Sequence, residues 1–118
     1  MTSYTPTGRP LTEYEAELLI LLMEEAAEVI QATSKLLRFG KDDFHPTRIN
    51  TNSQELAMEI GDFLAVYNKV HQETRLIEFM WVEKGLGRKF ERMKKYMQHQ
   101  PPAKDDSKYD PCGTSKTI

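Results

Sequence analysis

Leu18-Leu19-Ile20-Leu21-Leu22-Met23-Glu24-Glu25-Ala26-Ala27-Glu28-Val29-Ile30 sets three acids inside an otherwise apolar run. Carboxylates rarely enter such a run unless something binds them. At about 100° per residue, a helix through this segment puts Glu25 and Glu28 on one face as i, i+3 neighbours. Leu18, Leu21, Leu22, Val29 and Ala32 share that face. Glu25 therefore points where a core is expected.

A second stretch repeats the pattern. In Glu59-Ile60-Gly61-Asp62 the two acids are again i, i+3 neighbours, and Leu56, Phe63, Val66 and Val70 lie on their face. If the two faces meet, four carboxylates converge in a partly dry site. Like charges brought together under partial burial repel, so the arrangement calls for shared protons or a hard cation. Oxygen-only ligands select Mg²⁺, with Mn²⁺ as the near alternative.

Glu24-Glu25-x-x-Glu28 followed by Glu59-x-x-Asp62 resembles the EExxE…ExxD signature of the MazG-like all-α nucleotide pyrophosphohydrolases, over roughly residues 12–97. Capped helical segments and the absence of lasting strand-like alternation predict an all-α fold, a bundle of about four helices of the MazG-like kind. The resemblance implies Mg²⁺ ligands at Glu25, Glu28, Glu59 and Asp62, with Glu24 as a supporting acid. It also implies hydrolysis of a nucleoside triphosphate to a monophosphate and pyrophosphate, as in nucleotide-pool sanitation, by a homodimer or homotetramer.

Working outward from the acids, the first helix starts at Thr12, which can cap, with Glu15 completing a capping box and Leu11 stapling onto Ala16. Nothing breaks it before Gly40, a suitable C-terminal stop. That is about 28 residues, or about 42 Å. Residues 40–52 read as a loop because of Pro46 and the Asp and Asn content. His45 within it is a lone histidine before a proline, read as a polar loop residue. Asn52 with Glu55 suggests the next helix start, running to about Lys69. His71-Gln72-Glu73-Thr74 suggests a turn, with Thr74 capping a last helix over about 75–97 that Gly85 and Gly87 could interrupt. Residues 1–10 read as a flexible leader and 98–118 as a disordered tail, leaving 11–97 as the helical domain.

With 118 residues the chain is expected to make one small domain. A net charge of −2 creates no field that would select nucleic acid or a membrane surface, so neither is an expected partner. The single cysteine, Cys112, excludes an intramolecular disulfide and suits a reducing, cytoplasmic setting. No apolar stretch is long enough to span a bilayer, and no signal-like start is present.

A triphosphate needs cations beyond the metal. Lys35 and Arg38 follow Glu28 on the first helix, and Lys84 and Lys89 lie on the last, so these four are the candidate phosphate-binding residues. Phe39, Phe44, Tyr67 and Trp81 are candidates for stacking on a base. There is no P-loop, no HExxH and no Glu-x-x-His, which leaves those phosphate, zinc and di-iron chemistries unsupported. Two other readings stay open: a dUTPase-like hydrolase, and a non-catalytic helical interaction module whose basic last helix docks a partner.

Overall fold

The structure, a computed structural model, describes residues 8–43 and 46–101. The leader and tail readings fall largely outside these residues, as do Phe44, His45 and Cys112. Among the described residues every regular element is a helix: α1 (Glu13–Phe39), α2 (Asn52–Glu73) and α3 (Phe79–Tyr96). The chain divides between Trp81 and Val82 into two compact units, and each is described by itself.

α1 begins as the capping logic requires. Thr12 Oγ1 accepts from the Glu15 backbone N–H at 3.1 Å, and Glu15 Oε1 accepts from the Thr12 N–H at 2.9 Å. Arg9 adds a two-pronged ion pair, each prong 2.8 Å, to the buried Glu15 carboxylate. One residue of the expected leader is thus tied to the helix. The helix ends at Gly40, whose φ of 88° lies in the region open to glycine at little steric cost. Its N–H donates to Leu36 O at 2.9 Å.

α2 starts one residue earlier than the Asn52 cap expected. Thr51 is the cap: its hydroxyl accepts from Gln54 N–H at 3.2 Å, and the Gln54 side chain accepts from Thr51 N–H at 2.9 Å. Thr-x-x-Gln satisfies two orphan donors at once. The helix also runs past Lys69 to Glu73. Thr74 closes it instead of opening the next one, with its hydroxyl donating to Val70 O at 2.6 Å. The turn that follows is held by His71 Nδ1, 3.1 Å from Ile77 O.

α1 and α2 form an antiparallel hairpin. Tyr14 O–H donates to Glu73 at one end, and Asn52 Nδ2 donates to Gly40 O at 3.1 Å at the other. Lys69 Nζ reinforces the open end, 3.0 Å from Glu73 Oε1. The seam is built from α1 positions 15, 18, 22, 25, 29 and 32 and α2 positions 56, 59, 63, 66 and 70, all buried or half-buried. Alternating spacings of three and four keep one face of a helix on its partner. Leu18, Ala32 and Val70 are the buried apolar residues. The opposite face of α1 repeats that spacing through Ile20, Met23, Ala27, Ile30, Ser34 and Leu37, all exposed.

The second unit carries most of α3. About four helices were expected; three are present among the described residues because α3 runs unbroken through Gly85 and Gly87. Each glycine costs about 1 kcal/mol relative to alanine in a helix but does not forbid one. None of α3 is buried, and its Lys94–Glu91 pair is solvent-exposed. No described helix is long and apolar enough to cross a membrane.

The start of α1 gives a pH prediction. Arg9, then the Thr12 N–H, hold the Glu15 carboxyl down to about 2 from an ordinary 4.5. A carboxyl whose folded value is depressed stabilises the fold above its unfolded value and loses that contribution as pH falls through the folded one. Wild-type melting temperature should therefore fall between pH 4.5 and about 2, followed by circular dichroism. Glu15→Gln should lower stability at pH 7 and flatten that limb.

Candidate metal centre

The hairpin register brings the two acid pairs to one level. Glu25 on α1 and Glu59 and Asp62 on α2 each offer a carboxylate oxygen, and these oxygens lie within 4.8 Å of one another. Glu25 and Glu59 are half-buried in the seam, while Asp62 is exposed at its rim. The reason is local. Asp62 follows Glu59 by three positions, so one acid lies in the seam and the other emerges beside it. Glu25 replaces an apolar residue in the α1 seam, one turn from Leu22 and Val29.

The donor set fits a hard cation. Oxygens on one octahedral ion at about 2.1 Å are about 3.0 Å apart when adjacent and about 4.2 Å when opposite, so oxygens within 4.8 Å of one another would draw closer to hold Mg²⁺. Softer metals select sulfur or imidazole, and neither occurs in the group.

Electrostatics points the same way. The Glu59 carboxyl is pushed above the ordinary carboxylate range, first by partial desolvation and then by the charges of Asp62, Glu28, Glu25 and Glu55. Four acids thus act on one, and a proton or cation at Glu59 is favoured.

Glu28 stands outside the close group of three. It is exposed and lines a small polar pocket with Glu55 and Glu59, Gln31 and Ala32. Lys35, Arg48 and Asn52 complete that pocket, so two cations and three acids line it. Lys35, Arg48, Asn52 and Glu55 also wall a larger cavity of about 380 Å³ with Phe39, Asp43, Pro46, Thr47 and Asn50.

The residues singled out from sequence therefore separate. Glu25, Glu59 and Asp62 converge, with Glu28 adjoining. Lys35 stands at the junction of the two cavities. Arg38 does not line either: its guanidinium lies over the Phe39 ring, 5.1 Å from the centroid. Glu24 is exposed and lines neither cavity. Lys84 and Lys89 lie on α3 in the other unit. Of the aromatic candidates, Phe39 lines the larger cavity. Tyr67 instead stacks on His71 at 6.1 Å between ring centroids, and Trp81 is exposed.

Arg48, Asn52 and Glu55 are the wall residues that sequence reasoning missed. Glu55 had a signal, since it precedes Glu59 by four on one helical face. Arg48 had none, because a loop residue carries no period. No protein-family model, curated protein or solved structure matches the chain.

The raised Glu59 value has a stability consequence. A group whose folded value exceeds its unfolded one binds its proton more tightly in the folded state. Its contribution is complete below 4.5 and is lost as pH rises through the folded value. Without metal, the protein should lose melting temperature as pH climbs from 4.5 toward neutrality. Glu59→Gln should remove that slope and melt at or above the wild type at pH 7. A steeper slope in the variant, read by thermal circular dichroism in chelator, would contradict the assignment.

Proposed function

We propose that the chain is a Mg²⁺-dependent nucleoside triphosphate pyrophosphohydrolase acting at the Glu25–Glu59–Asp62 group. The observation that carries the reading is the convergence of these carboxylates beside a pocket that also contains Lys35 and Arg48. The resemblance of Glu24-Glu25-x-x-Glu28 and Glu59-x-x-Asp62 to the MazG-like signature supports the same conclusion from the sequence side.

In this reading Glu25, Glu59 and Asp62 hold the ion, with Mn²⁺ as a substitute, and Glu28 completes the acidic wall. When bound, the ion supplies charge neutralisation at the phosphate oxygens. Lys35 and Arg48 bind the phosphate chain from the other side; Arg48 brings a planar fork suited to two phosphate oxygens, Lys35 a compact point charge. Arg48 takes the role that the sequence suggests for Arg38. Glu24 is retained as the supporting acid that the motif implies, orienting water. Water adds to the α-phosphorus, the bond from that phosphorus to the α–β bridging oxygen breaks, and pyrophosphate leaves.

A second copy of the chain is part of the proposal. The stripe from Ile20 through Leu37 keeps the spacing of a helix–helix seam and is exposed along its length. Ile30 is 69% and Leu37 83% exposed. Self-association would cover this face. Light scattering at micromolar concentration should give a mass above that of one chain. Ile30→Glu with Leu37→Glu should reduce it to one chain without loss of helix content.

Catalysis and metal binding are tested together. With Mg²⁺, wild-type protein should release pyrophosphate from one or more members of a (d)NTP panel and should gain melting temperature. Glu25→Gln, Glu59→Gln and Asp62→Asn should each lower turnover by about 10²-fold or more, since a ligand oxygen and a charge are lost. Each should weaken the Mg²⁺-dependent gain in melting temperature. Glu13→Gln and Glu91→Gln, outside the motif, should do neither. Wild-type melting insensitive to Mg²⁺, with full activity in the variants, would remove the site.

A further inference from the structure

The proposed reaction uses no residue of α3, yet this helix is sharply sorted by chemistry. At about 100° per residue, Val82, Leu86, Phe90, Met93 and Met97 fall within an arc of about 80°. Met97 lies one residue past α3, and its N–H donates to Met93 O at 3.1 Å, so the helical turn continues to it. The stripe is about 22 Å long at the helical rise. Leu86 is 52% exposed, Phe90 58% and Met97 54%, and no residue of α3 is buried.

The rest of the perimeter is cationic. Lys84, Arg88, Lys89, Arg92, Lys94 and Lys95 stand against Glu83 and Glu91, a local charge of +4 in a chain whose total is −2. The whole-chain charge therefore understates what α3 presents. Lys89 flanks one edge of the apolar stripe and Lys94 the other. Long cationic side chains at such edges lay their methylenes along apolar surface and extend their charge beyond it. Lys94 pairs with Glu91 at 3.5 Å, but both are exposed and a pair of this kind is worth little. Glu83 is the acid nearest the stripe, on the same edge as Lys94.

We infer that α3 binds an anionic lipid surface, lying in its plane with the apolar stripe in the headgroup boundary and the edge cations on lipid phosphates and carboxylates. The inference stands apart from the hydrolase reading. A sharply amphipathic helix of low overall hydrophobicity, with Lys and Arg on one side and Phe and Leu on the other, suits this contact. A helix packed into a protein core shows an apolar face of about 100° or more, and the α3 stripe is narrower. Its spacings of 4, 4, 3 and 4 do not make the steady seam of a coiled coil. Nucleic acid would take the cations but has no use for aligned apolar side chains. An anionic bilayer surface takes both, and an in-plane helix need not be long enough to span it.

The test is co-sedimentation of the full chain with extruded vesicles, either phosphatidylcholine alone or with about one-third phosphatidylserine. Wild-type protein should bind the anionic vesicles about tenfold or more tighter than the neutral ones, since each cation at such a surface is worth about fivefold. Binding should weaken steeply from about 0.05 M to about 0.5 M NaCl. Leu86→Glu with Phe90→Glu should lower it by about 30-fold or more. Lys89→Gln with Lys94→Gln should lower it by about tenfold or more on anionic vesicles only. Glu83→Gln should strengthen it, which a variant that merely failed to fold could not do. Circular dichroism of each free variant should match wild type.

The inference is overturned if wild-type protein binds anionic and neutral vesicles alike, if it binds neither, or if the Leu86 and Phe90 changes leave binding intact. Two further arms exclude other occupants. A DNA duplex bound more tightly than anionic vesicles, with that binding retained after Leu86→Glu and Phe90→Glu, would show the cations acting alone. Light scattering in which the same two changes dissociate an oligomer, while wild-type protein ignores vesicles, would make the stripe a subunit interface. Either result overturns the lipid assignment.

Discussion

The α1–α2 seam has to bury a thin apolar face and, at its middle, a group of acids. Leu18 and Val70 close the seam near the Tyr14–Glu73 end, and Ala32 closes it toward the loop. Between these points Glu25 and Glu59 occupy positions that an ordinary seam would give to leucine. Carboxylates contribute little hydrophobic energy, so the seam is weakened at this level although Leu22, Val29 and Phe63 flank it. A cation there would convert mutual repulsion into a tie between the two helices. Folding and ion binding would then be coupled at one level of the molecule.

The ends of the hairpin compensate for that weak middle with local order. Two capping boxes, a buried carboxylate clamped by Arg9, and the Tyr14–Glu73–Lys69 contacts hold the helix ends and their alignment. An N-cap is worth about 1 kcal/mol and the ion pairs less where exposed, so these features set register more than total stability. Register matters because a shift of one residue rotates a side chain by about 100° about its helix axis. Glu25 would then leave the seam, and the group with Glu59 and Asp62 would disperse.

The connection between the helices does more than close the hairpin. Its backbone bonds to the first turn of α2 hold residues 41–43 beside Asn52 and Ser53. Arg48 comes from the same connection and lines the polar pocket together with Lys35 of α1. The acids thus sit on rigid helices and one of the two cations on a loop. Under the proposed function, the fixed charges would orient the ion while the loop residue adapts to the phosphate chain.

The helical class, the start and stop of α1 and the two acid pairs were legible in the chain itself. They depend on spacing and capping within a few residues, and Thr12, Glu15, Gly40, Glu25 and Glu59 carry those signals locally. The boundaries of α2 were less legible, because Asn52 and Thr74 are good caps in isolation. Thr51 with Gln54 outcompetes the first, and the Val70 carbonyl takes the hydroxyl of the second. The continuity of α3 depended on a small glycine penalty that the rest of the helix outweighs. The convergence of Glu25 with Glu59 and Asp62 and the entry of Arg48 were decided only by tertiary structure. Each depends on which residues of α1 stand opposite which residues of α2 and its loop. That alignment is a property of two segments packed together, and no periodicity within either one encodes it.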